Sequence, residues 1–204
     1  MALVKICGIN TVDAYRAAVG AGADWVGFVF FPPSPRYVTA AQAHAIGAEG
    51  VVTRVGLFVD PDEATIAAVT DEVKLDILQL YAPANTCRAL RARFGLPVWR
   101  AVGVAIAADL PTGDEGLDGF IIESRPPPDA ARPGGNATAL DWSITKSWRA
   151  PAPWLLAGGL TPDNVARAIA ASGAGAVDVS SGVEDTPGQK SAALIREFIA
   201  AAKF

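Results

Sequence analysis

Eight times along this chain a short apolar run with β character is followed by a stretch of helical or turn character, and few folds accommodate that rhythm. The strand-like runs are Leu3 to Gly8, Trp25 to Phe30, Thr53 to Phe58, Leu75 to Leu80, Pro97 to Val102, Gly119 to Ser124, Trp154 to Ala157 and Gly175 to Val179. Several are apolar almost throughout, as strands of a parallel sheet covered on both faces are. Between them, Ala-rich segments with polar cap candidates at their starts read as helices: Asn10 to Ala21, Thr39 to Glu49, Asp62 to Glu72, Ala84 to Phe94, Trp142 to Ser147, Thr161 to Ala171 and Gln189 to Lys203, with Ala107 to Leu110 the weakest. Eight strands and about eight helical connections make the tally of an α/β chain folded as a single-domain (β/α)8 TIM barrel of parallel strands over residues 1–204.

At 204 residues the chain is short for such a barrel, whose usual length is about 250. Most loops must therefore be brief, and two long ones stand out: Phe31 to Val38 (FPPSPRYV) and Arg125 to Leu140 (RPPPDAARPGGNATAL). Each follows a strand C-terminus, the face on which barrels carry their chemistry, so both are expected to cover a substrate. The 51% hydrophobic composition supplies a large core. No apolar run reaches the roughly 18 residues of a membrane span, so no membrane partner is expected. Lys plus Arg number 17 against 21 Asp plus Glu, without a basic run, which argues against nucleic acid. The two cysteines suggest neither a disulfide framework nor a zinc site, and the first residues enter a strand without a basic leader; a cytoplasmic, metal-free protein is the expectation. No segment carries an apolar stripe beyond what helices covering a barrel need, which fits a monomer or weak homodimer.

Alternation along the first strand puts Lys5 and Cys7 on one face and Val4 and Ile6 on the other, so a thiol and an ammonium reach the strand end together. A free thiol, with a pKa of about 8.5, needs a nearby cation to act as a base, and Lys5 is placed to supply one. At the other end of the chain, Gly158-Gly159 closes the seventh strand and Ser180-Ser181-Gly182 the eighth. Small residues there expose amides and hydroxyls, and the loops after strands seven and eight are the usual phosphate site of a barrel. Asp178, ending the eighth strand, is placed to accept from a sugar hydroxyl or to pair with Lys5. His44 reads as a helix-surface residue, Cys87 as packing, and the tryptophans as core or interface residues.

Several longer motifs accompany these residues: VKICG at Val4 to Gly8, AGAD and GFVF within Ala21 to Phe30, SPRYV at Ser34 to Val38, RVGLFV at Arg54 to Val59, LQL at Leu78 to Leu80, GG and DW within Gly134 to Trp142, LAGGLTPDNV at Leu156 to Val165 and VDVSSGVE at Val177 to Glu184. With them the chain resembles, from end to end, the phosphoribosylanthranilate isomerase family of tryptophan biosynthesis. The resemblance implies a cofactor-free Amadori rearrangement of a small phosphorylated sugar substrate. A general acid protonates the furanose ring oxygen, the sugar opens to a Schiff base, and a general base removes the C2' proton. By this resemblance Cys7 is the base, Glu123 stands where the family places its acid, and Arg36 holds the anthranilate carboxylate. Lys5, Gln79 and Asp178 are expected beside the substrate, and Gly158, Gly159, Ser180, Ser181 and Gly182 around its phosphate.

Three departures from the family pattern lie on the C-terminal face. The sixth strand ends in Glu123 where the family has Asp, which lengthens the carboxylate arm by about 1.5 Å; burial beside Ile121 and Ile122 is expected to raise its pKa, with Lys5 opposing. Tyr81-Ala82 replaces the usual His-Gly after the fourth strand. The sixth loop reads Gly134-Gly135-Asn136-Ala137-Thr138-Ala139-Leu140-Asp141-Trp142, without the second glycine pivot and the lysine. Two alternatives follow from these changes: a barrel of the same lineage acting on another phosphosugar, or a non-catalytic phosphosugar-binding paralogue.

Overall fold

The computed structural model describes residues 1–125 and 140–203. Eight parallel strands, β1 (Leu3–Cys7), β2 (Trp25–Val29), β3 (Thr53–Val59), β4 (Ile77–Tyr81), β5 (Val98–Val104), β6 (Gly119–Ser124), β7 (Trp154–Leu156) and β8 (Ala176–Val179), pair in chain order. β1 also pairs with β8, Lys5 opposite Asp178, and closes the barrel. The helices are α1 (Val12–Gly20), α2 (Ala40–Gly47), α3 (Glu63–Thr70), α4 (Ala84–Phe94), α5 (Val165–Ser172) and α6 (Ala192–Lys203). Thr11, Thr39 and Asp62 cap the first three through their side-chain oxygens, and Thr39 forms a reciprocal capping box with Gln42.

The pleat divides the strands' side chains between two cores. Outward residues such as Val4, Ile6, Phe28, Leu78, Phe120 and Val177 pack against the helices. Inward residues including Val55, Ile77, Trp99, Ala101, Ile121, Leu155 and Ala176 fill the barrel, where the rings of Trp25 and Trp99 meet edge to face at 5.3 Å. Cys7, Val29 and Leu57 form a smaller cluster nearer the C-terminal ends. Gly27 is paired with Cys7, and a Cβ there would come within 3.0 Å of Cys7 Sγ and 3.2 Å of Lys5 Nζ. The glycine thus makes the room that the thiol and the ammonium occupy.

Besides α5, which starts late, three connections differ from the expected helices. Among the described residues, β5 and β6 are followed by the short 3-10 turns Ala107–Asp109 and Trp142–Thr145. Asp109 accepts from the backbone N–H groups of Ala105 and Ile106, which winds that connection tightly instead of extending it. The last helix begins at Ala192, not Gln189, because Glu184–Thr186 (β9) and Gln189–Lys190 (β10) form an antiparallel hairpin turned at Gly188, φ +85°. Most of the long sixth loop, including Gly134 to Ala139, lies outside the described residues.

Candidate active site

At the C-terminal ends of the strands is a cleft of about 690 Å³, the open solvent at its mouth included. Of the residues expected at the substrate, all but Lys5 line it: Cys7, Arg36, Gln79, Glu123, Gly158, Gly159, Asp178, Ser180, Ser181 and Gly182. Lys5 is fully buried beside the cleft, its Nζ donating to Asp178 Oδ1 at 2.9 Å. Its reach is to Asp178 and Cys7, and it supports the site without facing the open space.

The thiol does not titrate as the neighbouring ammonium alone would dictate. Burial pushes Cys7 up, Lys5 pulls it down by less, Asp178 adds to the rise, and the net is a thiol above its ordinary value. Burial likewise disfavours the charge of Lys5, but Asp178 and Cys7 outweigh it and hold the ammonium protonated.

Glu123 sits at the end of β6 opposite Gly103 of β5. Burial pushes its carboxyl up to about 8, against a smaller downward pull from the Tyr81 phenol; Asp178 adds to the rise and Lys5 opposes it. At neutral pH this carboxyl carries a proton. Burial and the Glu123 charge together push Tyr81 well above the usual phenol range. Glu123 Oε1 and Gln79 Oε1 are buried without a hydrogen-bond partner among the described residues. Such orphaned oxygens on a cleft wall are what a polar ligand would satisfy.

Arg36 reaches the cleft from the Pro-rich loop after β2. A Cβ at Gly8, φ +77°, would fall 2.9 Å from Arg36 Cδ, so the turn after Cys7 needs glycine for the arginine stem to pass. The guanidinium donates through Nε and Nη2 to the two oxygens of Glu184 at 2.7 and 2.8 Å. On the opposite side, Gly158 and Gly159 both have positive φ, 87° and 64°. Asn164 ties that turn, accepting from Thr161 N at 2.8 Å and donating to the Gly159 carbonyl at 2.9 Å. This bracing displaces the start of α5 to Val165, four residues beyond the expected Thr161. A Cβ on Gly182 would run into the Leu160 carbonyl, so the turns after β7 and β8 touch backbone to backbone.

Sequence reasoning missed Glu184, Lys190 and Asn164 as parts of this site. Thr186-Pro187-Gly188 was the available signal for the first two, since Pro-Gly marks a reversal of the chain.

Residues 4–201 match the family model described as N-(5'phosphoribosyl)anthranilate (PRA) isomerase. The chain belongs to this family. A relative from Acidiphilium cryptum named N-(5'-phosphoribosyl)anthranilate isomerase is 67% identical over 202 residues, 99% of this chain and 98% of its own. Among solved structures, phosphoribosyl anthranilate isomerase from Thermotoga maritima superposes with a TM-score of 0.86 at 37% identity, over 100% of this chain and 99% of its own. Another structure of phosphoribosyl anthranilate isomerase, also 37% identical, with a TM-score of 0.83 over 100% of this chain and 99% of that one, is a complex with reduced 1-(o-carboxyphenylamino)-1-deoxyribulose 5-phosphate.

Proposed function

We propose that this chain performs the family's isomerisation, N-(5'-phosphoribosyl)anthranilate to 1-(2-carboxyphenylamino)-1-deoxyribulose 5-phosphate in tryptophan biosynthesis, with Cys7 as general base and Glu123 as general acid. The observation that carries the assignment is the convergence on one cleft of a buried thiol, a buried carboxyl, an arginine and two small-residue turns. The substrate phosphate is cradled by Gly158, Gly159 and Ser180 to Gly182, where backbone amides can approach an anion closely. Arg36 has Nε and Nη2 engaged by Glu184, and its Nη1 edge meets the anthranilate carboxylate. Gln79 and Asp178 take the sugar hydroxyls.

Chemistry begins with the Glu123 proton. It passes to the furanose ring oxygen as the C1'–O bond breaks, giving an open-chain Schiff base and a carboxylate that the Tyr81 phenol helps to hold. The thiolate of Cys7 then removes the C2' proton, whose electron pair moves through C1' to the nitrogen. The resulting enolamine takes a proton at C1' from the Cys7 thiol while its C2' hydroxyl proton passes to the Glu123 carboxylate, giving the ketone and restoring both groups to their starting states. A hydrogen has moved from C2' to C1', so no external oxidant or reductant is required. Because burial raises both groups, the productive pair, thiolate with carboxylic acid, is a minority state of a coupled titration.

The chain's place in tryptophan biosynthesis is consistent with a cytoplasmic reaction carried out by one barrel domain. No helix among the described residues is long and apolar enough to cross a membrane. Complementation of a tryptophan auxotroph lacking this isomerase tests the assignment: growth is expected with the wild-type chain and is lost in Cys7→Ser and Glu123→Gln. Absence of growth with the wild type, together with thermal stabilisation by the reduced product analogue, would instead identify a binding barrel.

A further inference from the structure

The β9–β10 hairpin takes no part in the proton transfers, yet it carries a buried charge cluster. Lys190 Nζ, its side chain fully buried, donates to Glu184 Oε1 at 2.7 Å, to the Ser180 carbonyl at 2.8 Å and to Ser180 Oγ at 3.3 Å. The Glu184 carboxylate also receives both prongs of Arg36, and all three side chains are at most 6% exposed. At the hairpin's turn, Gly188 accepts from Asn10 Nδ2 at 2.8 Å, and a Cβ on Gly188 would strike the Pro35 carbonyl. The turn thus lies directly on the loop that carries Arg36.

Two cations surround one carboxylate, leaving a surplus positive charge in a buried place. Such a surplus is costly unless an anion completes it. Neither Glu184 nor Lys190 lines the cleft, whereas the groups they hold, Arg36 and Ser180, both do. We propose that Glu184 and Lys190 are positioning residues that tether the carboxylate-binding arginine to the phosphate turn, fixing the span between the two anionic ends of the substrate. The proposal rests on the assignment above of Arg36 to the carboxylate and of Ser180 to Gly182 to the phosphate.

Lys190→Met removes the surplus cation and leaves Arg36 and Glu184 a balanced pair, so the barrel has no orphaned charge. The probes are anthranilate and inorganic phosphate, each as a competitive inhibitor of turnover by the full chain, with the melting temperature measured alongside. A tether requires both inhibition constants to rise, each by about tenfold, the scale of one charge-assisted hydrogen bond, and KM to rise by more than kcat falls. Ser181→Ala, which touches only the phosphate side, should weaken phosphate alone. Unchanged anthranilate affinity in Lys190→Met overturns the tether, whatever happens to phosphate affinity or melting temperature, because it leaves Lys190 shaping only its own turn. If that variant does not fold, the same two constants on Lys190→Gln decide, since Gln keeps a donor for Ser180 but not the charge. Wild-type protein that binds neither probe overturns the site assignment itself, and the tether with it.

Discussion

Glu123 concentrates the conflict between stability and function in this molecule. Its carboxyl, at about 8, binds its proton more tightly in the fold than an exposed glutamate does. The folded state therefore holds more protons than the unfolded chain between about pH 4.5 and 8, and stability from this group is full below that window and declines as pH rises through it. By pH 7 the cost is about 3 kcal/mol. Glu123→Gln is accordingly expected to raise the melting temperature more at pH 8 than at pH 5 while abolishing growth in the auxotroph; calorimetry at the two pH values checks it. For the wild type, whose base titrates above its acid, kcat/KM is expected to rise with pH up to about 8 and to level off there, falling only once the thiol has ionised. Tyr81→Phe removes the phenol that favours the charged carboxyl, so this rising limb should move upward and kcat should drop by about tenfold, which a pH–rate series would show. Cys7 and Arg36 were legible in the sequence because short unusual motifs carry them. The nearness of Tyr81 to Glu123 was not, because it depends on β5 presenting only Ala101 and Gly103 between their strands. Nor was the pairing of Arg36 with a carboxylate 148 residues away.

At the scale of elements, the chemistry is assembled from turns that only glycine permits. Gly182→Ala would drive a methyl into the Leu160 carbonyl and part the turns after β7 and β8. The expected result is a rise in KM of at least about tenfold, with smaller loss of kcat, because the phosphate is bound alike in ground and transition states; steady-state kinetics would measure it. Strands β1 and β6 and helix α4 were readable almost to the residue, since apolar runs and periodic Ala-rich segments there are bounded by clear turn signals. The start of α6 was misread because Gln189 and Lys190 continue a helix-compatible composition, while Gly188 has already reversed the chain. The start of α5 was misread for a related reason: Thr161-Pro162 resembles a helix start, but Asn164 spends its side chain bracing the Gly-Gly turn.

The whole molecule is a closed barrel whose inward residues change character from one end to the other. Trp25, Trp99, Ile121 and Leu155 pack the interior; above them come the Lys5–Asp178 ion pair, Cys7 and Glu123, and the turns close over the top. The architecture was legible because eight strand-like runs leave little alternative to closure, whereas the partnering of charges across the barrel is fixed only once β1 pairs with β8. The central claim is that Cys7 and Glu123 divide base and acid work between opposite walls of one cleft. Its most direct measurement is the loss of N-(5'-phosphoribosyl)anthranilate fluorescence with purified wild type, Cys7→Ala and Glu123→Gln at neutral pH. The expected result is turnover by the wild type and a fall in kcat of about a hundredfold or more in each variant; wild-type turnover retained by either variant would contradict the claim.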